Sequence, residues 1–172
     1  MTLIVRPELK NISRGTLTFS GVAYACALGR SGVSQNKVEG DGATPVGTFA
    51  LRRLFYRADR LVVPPTTILP TVAIEPHDGW CDAPEDSKYN MHVQLPYAAS
   101  AERLWLDERV YDLIVVLGHN DAPVVPGKGS AIFMHVATPD YAPTAGCVAL
   151  TQADLLTVLK IVTRDSKITI LP

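Results

Sequence analysis

Long apolar runs are missing from this chain of 172 residues. No segment approaches the ~20 apolar residues that a membrane-crossing helix needs, which excludes a spanning helix. An excess of either charge is missing too: 16 Lys and Arg stand against 17 Asp and Glu, a formal net charge of −1. That balance gives no electrostatic footprint for nucleic acid or an anionic membrane surface, so neither is expected as a partner. Cysteine is scarce. Cys26, Cys81 and Cys147 are odd in number and widely spaced, which argues against a disulfide framework and fits reduced thiols. Paired ligand spacings such as C-x-x-C or H-x-x-x-H are absent, so no metal site is expected. The opening segment MTLIVRPELKNISRG holds only Leu3, Ile4 and Val5 before Arg6 and Pro7 interrupt it, too little for the core of a secretory signal. The expectation is a cytoplasmic protein if Met1 is the natural start, and a periplasmic one if an upstream signal has been removed.

Turn formers are abundant. Thirteen prolines and twelve glycines point to a β-rich chain. Its length fits one domain over residues 1–172. Strands are expected at residues 2–5, at 16–19 and 21–28 as a hairpin around Ser20 and Gly21, at 48–56, at 71–75, and at 167–171. Apolar runs at 112–117 and 130–136 read as central strands. Residues 98–105 have a helical composition and predict a short helix. A better helix opens at Thr151, an N-cap with Asp154 three residues on, and carries Leu155, Leu156, Val158, Leu159 and Val162 on one face. The expected fold is mostly β, sandwich-like, with one or two short α-helices.

The chemistry concentrates in residues 118–150, GHNDAPVVPGKGSAIFMHVATPDYAPTAGCVAL. Cys147 follows Gly146, which opens the approach to sulfur and permits a tight turn. A histidine that takes the thiol proton leaves a thiolate–imidazolium pair, and the predicted helix N-terminus close behind Cys147 would favour the thiolate further. His135 ends a candidate strand and lies eleven residues before the cysteine loop closes, so it is the expected base. The backbone N–H groups of Gly146 and Cys147 are the expected oxyanion donors. His119 ends the neighbouring run and is the second histidine candidate. Each residue also has a plainer reading: Cys147 as core packing, the histidines as hydrogen-bonded structural residues, or His119, His135 and Cys147 as zinc ligands with His77 or His92. Arg52, Arg53 or Arg57 is the candidate partner for a substrate carboxylate.

These residues resemble the motif of the L,D-transpeptidase catalytic domain, the YkuD-type family. His135, Thr144, Gly146, Cys147 and Val148 match its histidine, spacer, and Ser/Thr-His-Gly-Cys segment. Gly40-Asp41-Gly42-Ala43-Thr44-Pro45-Val46-Gly47-Thr48-Phe49 is similar to its D-G-x-T-P-x-G-x-F segment. Ala145 departs from the family histidine before Gly-Cys, and Ala149-Leu150 replaces the usual polar residue. The stretch 78–84 with Lys88, Tyr89 and Asn90 resembles a compact subgroup. The resemblance implies Cys147 as nucleophile, His135 as base and Gly146 at the catalytic loop. It implies His119, Asn120, Thr144, Tyr89 and Trp80 at the substrate, with no cofactor. The partners implied are peptidoglycan stem peptides or muropeptides, with acylation of Cys147 by carbapenems. Without a recognisable export signal, the expected activity is that of an L,D-carboxypeptidase removing D-alanine from recycled tetrapeptides. An exported cross-linking transpeptidase, a non-catalytic muropeptide-binding module and a zinc hydrolase remain the alternatives.

Overall fold

The computed structural model describes residues 1–172. Its strands, in chain order, are β1 Thr2–Pro7, β2 Arg14–Phe19, β3 Val22–Ala27, β4 Val33–Ser34, β5 Thr44–Pro45, β6 Gly47–Tyr56 and β7 Thr71–Ala73. There follow β8 Asp78–Cys81, β9 His92–Gln94, β10 Ala101–Arg103, β11 Leu113–Leu117, β12 Phe133–Val136, β13 Val148–Leu150 and β14 Lys167–Ile170. One α-helix, α1 Gln152–Ile161, and one 3-10 turn at Arg109–Tyr111 complete the chain, so the fold is mostly β, as expected.

The main sheet runs β11-β12-β13-β3-β2-β1-β14-β6-β7, and β6 also pairs with β11, which closes the sheet on itself. β6 can do this because it is long: residues 47–50 pair with β14 on one edge, while residues 51–56 pair with β11 on the other. A bulge at Arg52 re-aims the strand between Leu51 and Arg53. The β2–β3 hairpin turns at Ser20 and Gly21, both at positive φ, the conformation that favours such a two-residue loop. Thr151 caps α1 by accepting from Asp154 N at 3.1 Å. The helix buries Leu155, Val158 and Leu159 in the main core.

Strand alternation builds the site. Leu113, Val115, Leu117, Met134, Val136, Val148 and Leu150 all point into the main core. Their alternates Ile114, Val116, Phe133 and Cys147 point to the opposite face, into a second cluster with Phe55, Trp80, Leu104 and Tyr111. The period of two therefore forces His135, two residues beyond Phe133, onto the Cys147 face as well. A small sheet, β10-β8-β9, covers that face.

The helix expected at residues 98–105 is not there. Ala101–Arg103 forms β10 and pairs with Cys81–Gly79 of β8. Eight residues are too few to nucleate a helix alone, and an open strand edge satisfies their backbone groups at once.

Candidate active site

A cleft of about 540 Å³ opens on the second face, and Cys147, His135, Thr144, Ala145, Tyr111 and Glu102 all line it. β12 and β13 are parallel neighbours with His135 opposite Ala149. Cys147, two residues before Ala149, therefore lies diagonally across from His135 on the same surface.

The thiol donates to the Ala131 carbonyl at 3.3 Å and accepts from Phe133 N at 3.4 Å. Burial, then the charge of Glu102, pushes its pKa up to about 12. Burial pushes His135 down to about 4. The resting pair is thus uncharged thiol and uncharged imidazole, where the sequence pointed to an ion pair, because both groups are too deeply buried to carry charge unaided. The helix N-terminus does not act on the sulfur either. β13 carries the chain roughly 10 Å, at ~3.3 Å per residue, before α1 begins, and the dipole's influence is confined to the first turn.

His135 Nδ1 lies 3.0 Å from the Val136 carbonyl. A carbonyl only accepts, so this contact puts a proton on Nδ1, and the Val110 carbonyl faces the ring as a second acceptor. The candidate base is thus oriented by backbone carbonyls, that of Val136 beside it and that of Val110.

The Cys147 loop is held from two sides. Thr144 Oγ1 donates to the Cys147 carbonyl at 2.8 Å and accepts from Gly146 N at 3.1 Å. Thr44 Oγ1 donates to the same carbonyl at 3.3 Å and accepts from Gly29 N at 2.8 Å. Thr44 is fully buried, so the early D-G-x-T-P segment acts as a brace behind the cysteine. Asp41 shapes that brace, accepting from Val38 N and Ala43 N and pairing with Lys37. Gly146 has φ +139°, and an added Cβ would meet the Ala43 carbonyl at 2.9 Å. Gly146→Ala is therefore expected to cost about 1–3 kcal/mol, read as a lowered Tm, and to displace the sulfur.

Other expected site residues lie elsewhere. His119 follows Gly118 out of β11; its Nε2 contacts the Lys128 carbonyl at 2.8 Å and its ring packs edge-on against Phe49. Asn120 ties its own loop, bonding Val125 N, Val125 O and Gly129 O. Tyr89 is 2% exposed, and its hydroxyl serves Glu39 and Gly129 N. Trp80 packs edge-on under Phe133, with Nε1 donating to Asn90. None of these four lines the cleft. His119, His135 and Cys147 form no cluster of metal-binding geometry. Arg52 is paired with Asp121, while Arg57 is paired with Asp59 and stacked over Trp105. The cations that do line the cleft are Arg30 and Lys37. Sequence reading missed Tyr111, Glu102 and the Val136 carbonyl. Nothing local marks Tyr111 and Glu102, which reach the cleft through tertiary contacts, and the Val136 carbonyl is backbone.

No curated protein and no solved structure matches the chain. The family model described as the L,D-transpeptidase catalytic domain, YkuD, matches residues 7–170. That family comprises cysteine-dependent L,D-transpeptidases acting on peptidoglycan peptides. With the match running through nearly every strand, from within β1 to the end of β14, the chain belongs to the L,D-transpeptidase catalytic domain family.

Proposed function

We propose that this chain is an L,D-carboxypeptidase that removes the terminal D-alanine from stem tetrapeptides of soluble, cytoplasmic muropeptides. Cys147 attacks the carbonyl at the L-centre of the meso-diaminopimelate residue. His135 Nε2 takes the thiol proton as the C–S bond forms and returns it to the amine of the departing D-alanine. Water then attacks the thioester, with Nε2 taking its proton, to give the tripeptide and the free thiol. The N–H of Cys147 is the donor we assign to the developing oxyanion. It gives none of the backbone hydrogen bonds made outside helices and strands, whereas the Gly146 N–H is held by Thr144.

The observation that carries the reading is the shared face: a cysteine leading into β13 and a carbonyl-held histidine on the adjacent β12, both lining one cleft. Water as the acceptor is supported by one part of the cleft lining. Ala137, Ala142, Ala145 and Ala149 form it, with alanine at the position where the family usually carries histidine. Ala145 in particular supplies no second base for an incoming amine where the family histidine would stand.

The test is mass spectrometry of the purified protein with a meso-diaminopimelate tetrapeptide, with and without an amine acceptor. Release of D-alanine with tripeptide as the sole peptide product is expected. A cross-linked or exchanged product would move the reaction to transpeptidation. Untouched peptide over an intact thiol would leave a binding module. The same reading expects a carbapenem to add its mass to the protein at Cys147.

A further inference from the structure

We propose that Glu102 is a specificity-determining carboxylate of this cleft, taking the ammonium group borne by the residue whose carbonyl Cys147 attacks. This rests on the acyl-transfer reading above. Glu102 sits on β10 and lines the cleft together with Cys147, His135 and Tyr111. The Tyr111 hydroxyl donates to its Oε1, and the Tyr111 ring stands edge-on to His135, with centroids 5.3 Å apart.

A carboxylate is an adverse neighbour for a cysteine nucleophile, since its field opposes the negative charge that must develop on sulfur. Glu102 acts on Cys147 in that sense. A purely structural acceptor for Tyr111 would need no charge, because a carboxamide oxygen accepts equally well. The wall around Glu102 adds to the anomaly. Glu39 and Asp82 line the same cleft, and burial first, then the charges of Asp82 and Glu39, hold the Glu102 carboxyl above the usual carboxylate range, so that its charge calls for a cation beside it. Asp82 Oδ1 is buried without any partner. The nearby cations form no ion pair with these carboxylates: Lys37 is bound to Asp41 and the Val38 carbonyl, and Arg30 reaches the Gly40 carbonyl. The cleft thus holds three acidic side chains, Glu39, Asp82 and Glu102, none of them in an ion pair, and a ligand ammonium supplies the partner. Occupancy by that ammonium also cancels the field on sulfur, so the correct substrate eases its own attack.

The experiment compares two tetrapeptides, one with the free side-chain amine of diaminopimelate and one with that amine acetylated. Kd is measured on Cys147→Ala and kcat/KM on the active protein. The free amine is expected to win by about 10–100-fold, the range for a hydrogen bond to a charged group. Glu102→Gln keeps the acceptor for Tyr111 and is expected to erase most of that preference, mainly through KM. Tyr111→Phe removes the hydroxyl, leaves the charge, and is expected to keep the preference. Equal binding of both peptides by Cys147→Ala overturns the proposal without any Glu102 variant, as does a preference that survives Glu102→Gln. D-alanine release in either case leaves the carboxypeptidase reading standing. Selective binding without turnover removes that reading and supports the assignment of Glu102. Failure of both peptides to bind removes both.

Discussion

Cys147→Ser is expected to lose acyl-enzyme formation and turnover by on the order of 10⁴–10⁶-fold while keeping the fold. The serine hydroxyl can still donate toward the Ala131 carbonyl and accept from Phe133 N, the two contacts that the thiol makes. Its chemistry fails for another reason. A hydroxyl beside a neutral, buried imidazole is a far poorer nucleophile than a thiol, and no charged base stands by to compensate. Cys147→Ala is expected to be equally inactive but less stable. It strands the Phe133 N–H in a buried strand, at about 1–3 kcal/mol, or roughly 2–4 °C in Tm for each kcal/mol in a chain of this size. Intact-mass spectrometry with the tetrapeptide, together with thermal denaturation of both variants, checks the pair. Adduct formation by Cys147→Ala would show that another residue carries the acyl group.

His135→Ala is expected to lower kcat/KM by about 10²–10⁴-fold, the usual worth of a positioned general base. Its pH signature separates it from a bystander. Burial places His135 at about 4, so the proton-accepting form is already complete at neutral pH. In the wild type, kcat/KM should rise as pH rises through about 4 and then stay flat across neutrality, because Cys147 holds its proton up to about 12. An acid limb centred near the ordinary histidine value would contradict the buried, neutral base. His119→Ala is expected to retain activity, since that ring is engaged with Phe49 and the Lys128 carbonyl outside the cleft. Loss of activity there with none in His135→Ala would reverse the assignment.

What could be read in the sequence follows from how local each feature is. The β2–β3 hairpin and the Thr151 cap were legible because a few consecutive residues determine them. The runs that became β11 and β12 were legible as apolar stretches buried on both faces. The choice between His119 and His135 was not. Both follow apolar runs, but one lies inside a strand with the parity of the cysteine's neighbour and the other past a glycine that turns it away. That distinction exists only once β12 and β13 are in register. Thr44 was visible through resemblance alone, and its role as a brace 103 positions from Cys147 needed the fold. Glu102 lay within the stretch misread as a helix, so its face could not be assigned. The Val136 carbonyl is backbone and leaves no mark in any sequence.

The closed sheet has a consequence for biosynthesis. β14 is the piece that joins β1, in parallel, to β6. A nascent chain can zip β1, β2 and β3 as they emerge, yet the ring stays open until residues 167–170 leave the ribosome. Until then the outer edge of β1 and one edge of β6 are bare templates for another strand, and closing them means joining distant parts of the chain, which is slow. The finished molecule has sealed those edges. Its exposure to aggregation therefore falls in the interval of its own synthesis, and substitutions that weaken β14 should be felt as poor yield of folded protein before they are felt at the cleft.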